Sequence, residues 1–104
     1  MSDIVGELPT RGEFSQQINS VFRTRLGDGS DIDLRLVQFD EHAVNATQEN
    51  YSLLFQAPAD MPPVQSIYRL DHEALGEMDL FLVPVKKDDS GLYYEAVFNQ
   101  LIGA

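Results

Sequence analysis

Apolar and polar residues alternate with a period of two along most of the 104-residue chain, the mark of strands that turn one face to a core. The stretch Tyr68 to Val85 sets the frame. Tyr68 and Leu70 alternate with Arg69 and Asp71, the chain breaks through His72-Glu73-Ala74-Leu75-Gly76, and a second apolar run covers Met78 to Val85. This predicts a hairpin in which His72 hydrogen-bonds across the turn and Gly76 supplies a backbone conformation that other residues resist. Upstream, Phe22, Thr24 and Leu26 lie on one side and Val21, Arg23 and Arg25 on the other, before Gly27-Asp28-Gly29-Ser30. Aspartate and glycine tolerate positive φ, so Asp28-Gly29 suits a tight turn. The returning strand turns Ile32, Leu34 and Leu36 inward, after which Val37 and Phe39 are apolar on the formerly polar side. That slip predicts a β-bulge or strong bend near Leu36 and Val37. Tyr51, Leu53 and Phe55 make the next strand, with Leu54 on its opposite face. Leu92, Tyr94, Ala96 and Phe98 make the last, with Tyr93, Glu95 and Val97 opposite.

The remaining segments are connections. Residues 1–13 mix Gly, Pro and charges and are expected to form a mobile arm, leaving 14–104 as one β domain. Phe14, Ile18, Val21 and Phe22 recur at helical spacing, which predicts a short helical turn over Phe14 to Asn19 anchored by Phe14 and Ile18. Asp40 to Asn50 is polar and reads as a loop or a frayed helical turn. Gln56 to Gln65 carries Pro58, Pro62 and Pro63, which cannot supply ladder N–H groups, so it reads as a long surface connection. Lys86 to Gly91 is a turn. About six strands follow one another through mostly short links, so the fold class is all-β, with meander order as the default. Leu54, Phe81, Val83, Tyr93 and Val97 form a second apolar face that needs a cover: closure into a barrel, the segment with Phe14 and Ile18, or a second copy of the chain. A small antiparallel barrel of about six strands, closed or partly open, with a short N-terminal helical turn is the expected architecture; a two-sheet sandwich is the alternative.

Composition narrows the function. Acids outnumber bases 17 to 7, for a net charge of −10, which repels phosphate backbones and anionic lipid, so nucleic acid is not an expected partner. With 43% hydrophobic and 23% charged residues the chain has globular usage and should fold. There is no cysteine, which removes disulfides, thiolate catalysis and zinc–thiolate sites. No run approaches the ~20 apolar residues of a membrane span, and the N-terminal sequence lacks the pattern of a signal peptide. Membrane insertion is therefore not expected, and the location is expected to be cytoplasmic, or outside the cell as part of a released assembly.

Candidate chemistry is thin. Asp28, Ser30, Asp31 and Asp33 crowd one turn, yet the twelfth-position glutamate of an EF-hand is missing, and acids facing water explain them. Asp71-His72-Glu73, with His42, offers metal-ligand types, but neighbours on an extended chain point to opposite faces. No serine sits in a Gly-x-Ser-x-Gly elbow and no phosphate-binding glycine loop occurs. No enzyme activity, cofactor or metal is expected. Tyr51, Tyr68, Tyr93 and Tyr94, with Arg69, offer a second class, a barrel mouth that holds a sugar or small anion.

The run Tyr51 to Phe55 with Ala57-Pro58-Ala59-Asp60, then Tyr68-Arg69-Leu70-Asp71-His72-Glu73 with Leu75-Gly76, Leu80 to Val85, and Tyr94 to Asn99 resembles a family of small bacterial single-domain proteins of unknown function. The resemblance spans roughly residues 14 to 99. It implies no catalytic residues, and its association with phage-tail-collar-like proteins implies a structural or assembly role. The expected function is a non-enzymatic assembly or adaptor module whose partner is a protein, either itself as a homo-oligomer or a larger assembly. Its expected contact surface is Leu54, Phe81, Val83, Tyr93 and Val97, extended by Leu101 and Ile102, with exposed strand edges available for β-augmentation.

Overall fold

The computed structural model describes residues 8–101. One short helix, α1 (Arg11–Ser15), precedes six strands: β1 (Val21–Arg25), β2 (Asp31–Val44), β3 (Gln48–Ala57), β4 (Ser66–His72), β5 (Gly76–Asp88) and β6 (Gly91–Leu101). All neighbouring strands run antiparallel and close into a ring in the order β1-β2-β3-β6-β5-β4. The expected barrel is thus present in its closed form, and the sandwich is not.

The order is not a meander. Pro58, Pro62 and Pro63 keep the β3–β4 connection out of the ladder, and that connection is long enough to carry β4 past β3 to the free side of β1. β3 then takes β6 as its neighbour, in continuous register from Gln48↔Leu101 to Ala57↔Leu92. The crossing segment is fastened from within. Met61 is buried, its N–H donates to the Pro58 carbonyl (3.1 Å), and the Tyr94 hydroxyl donates to the Pro62 carbonyl (2.6 Å). Desolvation pushes the Tyr94 phenol up to about 12, so it stays a donor at neutral pH.

The turns follow the residues that carry them. Gly29 sits at φ 90°, and the Asp28 carboxylate accepts from the Ser30 backbone (2.9 Å) and hydroxyl (2.7 Å). The expected bulge lies at Val37, between Leu36↔Phe55 and Gln38↔Leu54. The polar segment 40–50 differs from expectation. β2 continues to Val44, a second irregularity falls between Glu41 and Ala43, and only Asn45 to Thr47 form the turn. Asn45 builds it by accepting at its side-chain oxygen from the N–H groups of Thr47 (2.9 Å) and Gln48 (3.1 Å). Alternation is weak here because the hairpin tip extends past the core, so neither face has to be apolar.

α1 begins earlier than the spacing of Phe14 and Ile18 predicts. Thr10 caps it, its hydroxyl accepting from Glu13 N–H (3.1 Å) while Glu13 accepts from Thr10 N–H (2.8 Å), a capping box. The helix stops at Ser15, and Asn19, at φ 74°, turns the chain into β1. The expected boundary between arm and domain, at residues 13 and 14, therefore falls inside α1; the arm before Leu8 lies outside the described residues. Phe14 is fully buried against Phe22 and Phe98, whereas Ile18 is exposed and does not join the core. Arg11 ties the helix to the β2–β3 hairpin through Glu41 and Glu49.

The core fills the ring. Phe22 meets Phe55 edge-on at 5.2 Å and Tyr51 stacks on Phe98 at 4.6 Å, surrounded by Leu34, Leu36, Leu53, Leu70, Met78, Leu80 and Leu82. The antiparallel registers place α1, the β2–β3 hairpin and the β4–β5 turn at one end of the barrel. The β1–β2 and β5–β6 turns and the β3–β4 crossing lie at the other.

Candidate functional site

Each strand that turns one residue into the barrel turns the next one out, and the outward residues divide the surface in two. On β1 and β2, and on β4 and β5 next to their connecting turn, they are charged. Arg25 pairs with Asp31 (2.9 Å), Arg23 with Asp33 (2.9 Å) and Arg69 with Asp79 (2.6 Å), all directly across strand pairs. The arginines hold Asp31 and Asp79 below the usual carboxylate range. Exposed pairs of this kind add little stability, but they keep this wall wet.

The outer wall of β4, β5, β6 and β3 is different. Phe81 lies directly opposite Ile67, and the two are 53% and 67% exposed. Val97, 58% exposed, borders the same shallow cleft as Phe81 and Leu8, of about 290 Å³. Leu54 and Val83 are half-buried and flank Glu95, which pairs with both. Tyr93 stands apart, its ring covered by the Lys86 ammonium at 4.7 Å. Of the expected contact residues, then, Phe81 and Val97 come together, Leu54 and Val83 lie on either side of Glu95, and Tyr93 lies under Lys86. Leu101 is 89% exposed at the end of β6; Ile102 lies outside the described residues. Closure into a barrel buries only the inner face, so it leaves these side chains outside. The sequence reading missed Ile67, whose signal was its place before Tyr68 and Leu70, which face in.

Two places interrupt the wall. β5 pairs with β6 only from Val83 to Asp88, so the Ala96–Leu101 edge of β6 has no paired strand among the described residues. β1 pairs with β4 only at Phe22↔His72 and Arg23↔Asp71. Continuing that register would set Arg25 against Arg69, a like-charge pair that opposes closure. The strands part there around a cleft of about 440 Å³ lined by Thr24, Arg25, Leu26, Ile67, Tyr68 and Arg69, with Pro62 and Val64 from the crossing segment. Of the tyrosines proposed for a sugar-binding mouth, only Tyr68 lines it. Tyr51 and Tyr94 are core residues and Tyr93 lies under Lys86.

The histidines and acids do not converge. His42 Nε2 is 3.0 Å from Ser52 Oγ on the neighbouring strand. His72 is buried against Phe22, and its Nδ1 accepts from the N–H groups of Ala74 (3.0 Å) and Leu75 (3.1 Å). That fixes the proton on Nε2, which donates to Ser20 Oγ (2.8 Å), and Ser20 in turn donates to the Gln17 carbonyl (2.6 Å). The cross-turn bonding expected of His72 is therefore present, and Gly76 closes the turn at φ 81°. Among the described residues no group of three or more histidines or carboxylates is placed to hold a metal.

His72 carries a testable pH dependence. Burial lowers its pKa from the usual 6.5, against the opposing pull of Glu73 and Asp71. Its contribution is complete above the unfolded value of about 6.5 and is lost as pH falls below it, because the unfolded chain takes up a proton that folded Nδ1 cannot accept without losing both turn bonds. Thermal melts should fall between pH 7 and 5 in the wild type. His72→Asn, whose side-chain oxygen can replace Nδ1, should show a shallower fall from a lower starting point. Equal slopes would remove His72 as the cause.

These features define a small closed six-stranded antiparallel barrel with an outer wall divided between charge pairs and exposed apolar side chains. The chain belongs to a family described as a domain of unknown function (DUF6916), which matches residues 9–98 and so takes in the α1 cap. No curated protein and no solved structure matches it. No helix among the described residues is long and apolar enough to cross a membrane.

Proposed function

We propose that this domain is a non-enzymatic docking module, an adaptor that joins other protein surfaces within a larger, tail-like bacterial assembly. The observation that supports this most is the juxtaposition of Ile67, Phe81 and Val97 on the outer wall at 67%, 53% and 58% exposure. Large apolar side chains grouped outside a barrel cost solubility unless a partner covers them. The cross-strand ion pairs Arg23–Asp33 and Arg25–Asp31 on β1 and β2, across the ring, make that side a poor docking face and give the domain polarity.

The test is light scattering after size exclusion on wild type and Phe81→Glu. Phe81 is outside the core, so the variant should keep the wild-type far-UV spectrum and melting temperature while losing a wild-type oligomer. Loss of the fold, or an unchanged oligomer, would count against the patch. A second reading, a ligand-binding module, is favoured by the cleft between β1 and β4, where Tyr68 and the facing Arg25 and Arg69 could hold a sugar or small anion. A monomeric wild type whose melting temperature rises with such a ligand, and does not in Arg69→Ala, would turn the assignment to the cleft.

A further inference from the structure

The outer wall carries a carboxylate among its apolar side chains, and that carboxylate narrows what can dock there. Half-buried Glu95 faces outward between Leu54 and Val83, its direct partners on β3 and β5. Val97 follows it by two residues on the same face of β6, and Phe81, opposite Ile67, precedes Val83 by two on β5. The chain supplies no counterion. Of its seven bases, Arg11, Arg23, Arg25 and Arg69 pair with other acids, Arg35 donates to the Asn19 carbonyl (2.8 Å) and Lys86 lies over Tyr93. Neither these nor Lys87 forms an ion pair with Glu95 among the described residues.

We infer that this wall receives a protein segment in which an arginine stands between apolar side chains, the guanidinium on Glu95 and the apolar neighbours on Phe81, Val83 and Val97. The inference rests on the docking reading above and adds the chemistry of the partner. Any surface that covers Leu54, Val83 and Val97 also takes Glu95 out of water, and a carboxylate desolvated without a cation is strongly unfavourable. The partner must therefore bring the cation. Arginine meets this need better than lysine, because its planar fork binds a carboxylate through two hydrogen bonds and gives up water more readily. The charge of the whole chain selects in the same direction: at −10 it attracts a basic segment and repels an acidic one. A second copy is a poor occupant on both grounds. It would bring its own excess of acids to the wall, and its bases are engaged as these are.

Titration of the isotope-labelled full chain with the end-blocked tripeptides Leu-Arg-Leu, Leu-Gln-Leu and Leu-Glu-Leu, followed by backbone amide chemical shifts, tests this. The arginine peptide should shift the amides of 81–83 and 95–97 and bind about fivefold tighter than the glutamine peptide, the upper end for a partly exposed ion pair. The glutamate peptide should bind weakest, and added salt should shrink the differences. Glu95→Gln, nearly the same shape, should keep the fold and bind the arginine and glutamine peptides alike. Glu95→Arg should reverse the order and favour the glutamate peptide. Equal binding of all three peptides at the wall, or an arginine preference that survives Glu95→Gln, would overturn the inference and leave the docking reading standing. Shifts confined to the cleft between β1 and β4 would overturn it in favour of that cleft, and no shift with any peptide would count against the docking reading as well. A wild type that associates with its own copies through this wall, loses that association in Phe81→Glu and is not displaced by the arginine peptide would give the wall to a second copy and overturn the inference.

Discussion

Phe14→Ala should lower the unfolding free energy by about 4 kcal/mol, within the range for truncating a buried phenylalanine. The side chain is fully buried, with ring centroids 6.5 Å from Phe22 and 5.6 Å from Phe98. It enters through the end of the barrel, so removing it leaves a space bounded by strands already bonded to their neighbours, which cannot easily move in to fill it. The surrounding helix is too short to persist alone. Without Phe14 the capping box and the Arg11 pairs would hold a segment that no longer has an apolar anchor. Urea denaturation should show the loss in the midpoint with little change of slope. A loss below about 1 kcal/mol would mean that the end of the barrel collapses readily or that Phe14 is less well packed than described.

Gly91→Ala should cost about 3 kcal/mol, the upper end of what overpacking usually does. Gly91 begins β6 at φ 154°, and a β-carbon there would stand 2.3 Å from the Ala57 carbonyl oxygen. The obstacle is backbone, held in the β3–β6 ladder by Ala57↔Leu92, so no side-chain rotation relieves it. Asp88 also fixes the turn from the other side, accepting from the N–H groups of Ser90 (2.8 Å) and Gly91 (3.2 Å). Gly27→Ala is a suitable control, since a β-carbon at Gly27 meets nothing within 4 Å. Gly27→Ala should be neutral or slightly stabilising, because it only restricts the unfolded chain, and comparable losses in both would show that this close approach does not set the effect.

The inward pattern was readable because burial imposes it residue by residue. Leu34, Leu36, Leu53, Phe55, Tyr94 and Phe98 each alternate with a residue that faces out, and the slip at Val37 marks a real extra residue in the strand. Strand order was not readable in that way, because alternation tells which face a residue occupies and nothing about its neighbour strand. The proline-bearing crossing contained the clue, but only as an excluded ladder. The start of α1 was hidden for a different reason: it is set by Thr10 and Glu13, two polar side chains, whereas apolar spacing alone pointed to Phe14 and Ile18. For the outer wall, alternation located Phe81 and Val97 correctly as outward residues. Their grouping with Ile67 depends on β4 lying beside β5 and on β5 standing apart from β6 before Val83, which are relations between distant segments.

The ring consists of two consecutive three-strand halves, β1-β2-β3 and β4-β5-β6, joined at two unequal seams. One seam runs the full length of β3 against β6; the other is the brief contact of Phe22 and Arg23 with His72 and Asp71. The molecule is built like a book, with a long spine and a fore-edge that barely meets. Neither half encloses a core, so neither should persist without the other, and the cheapest way to open the pair is to part the fore-edge while the spine holds. His72 stands at that edge, packed on Phe22. Protonating it in acid therefore acts where the two covers separate first.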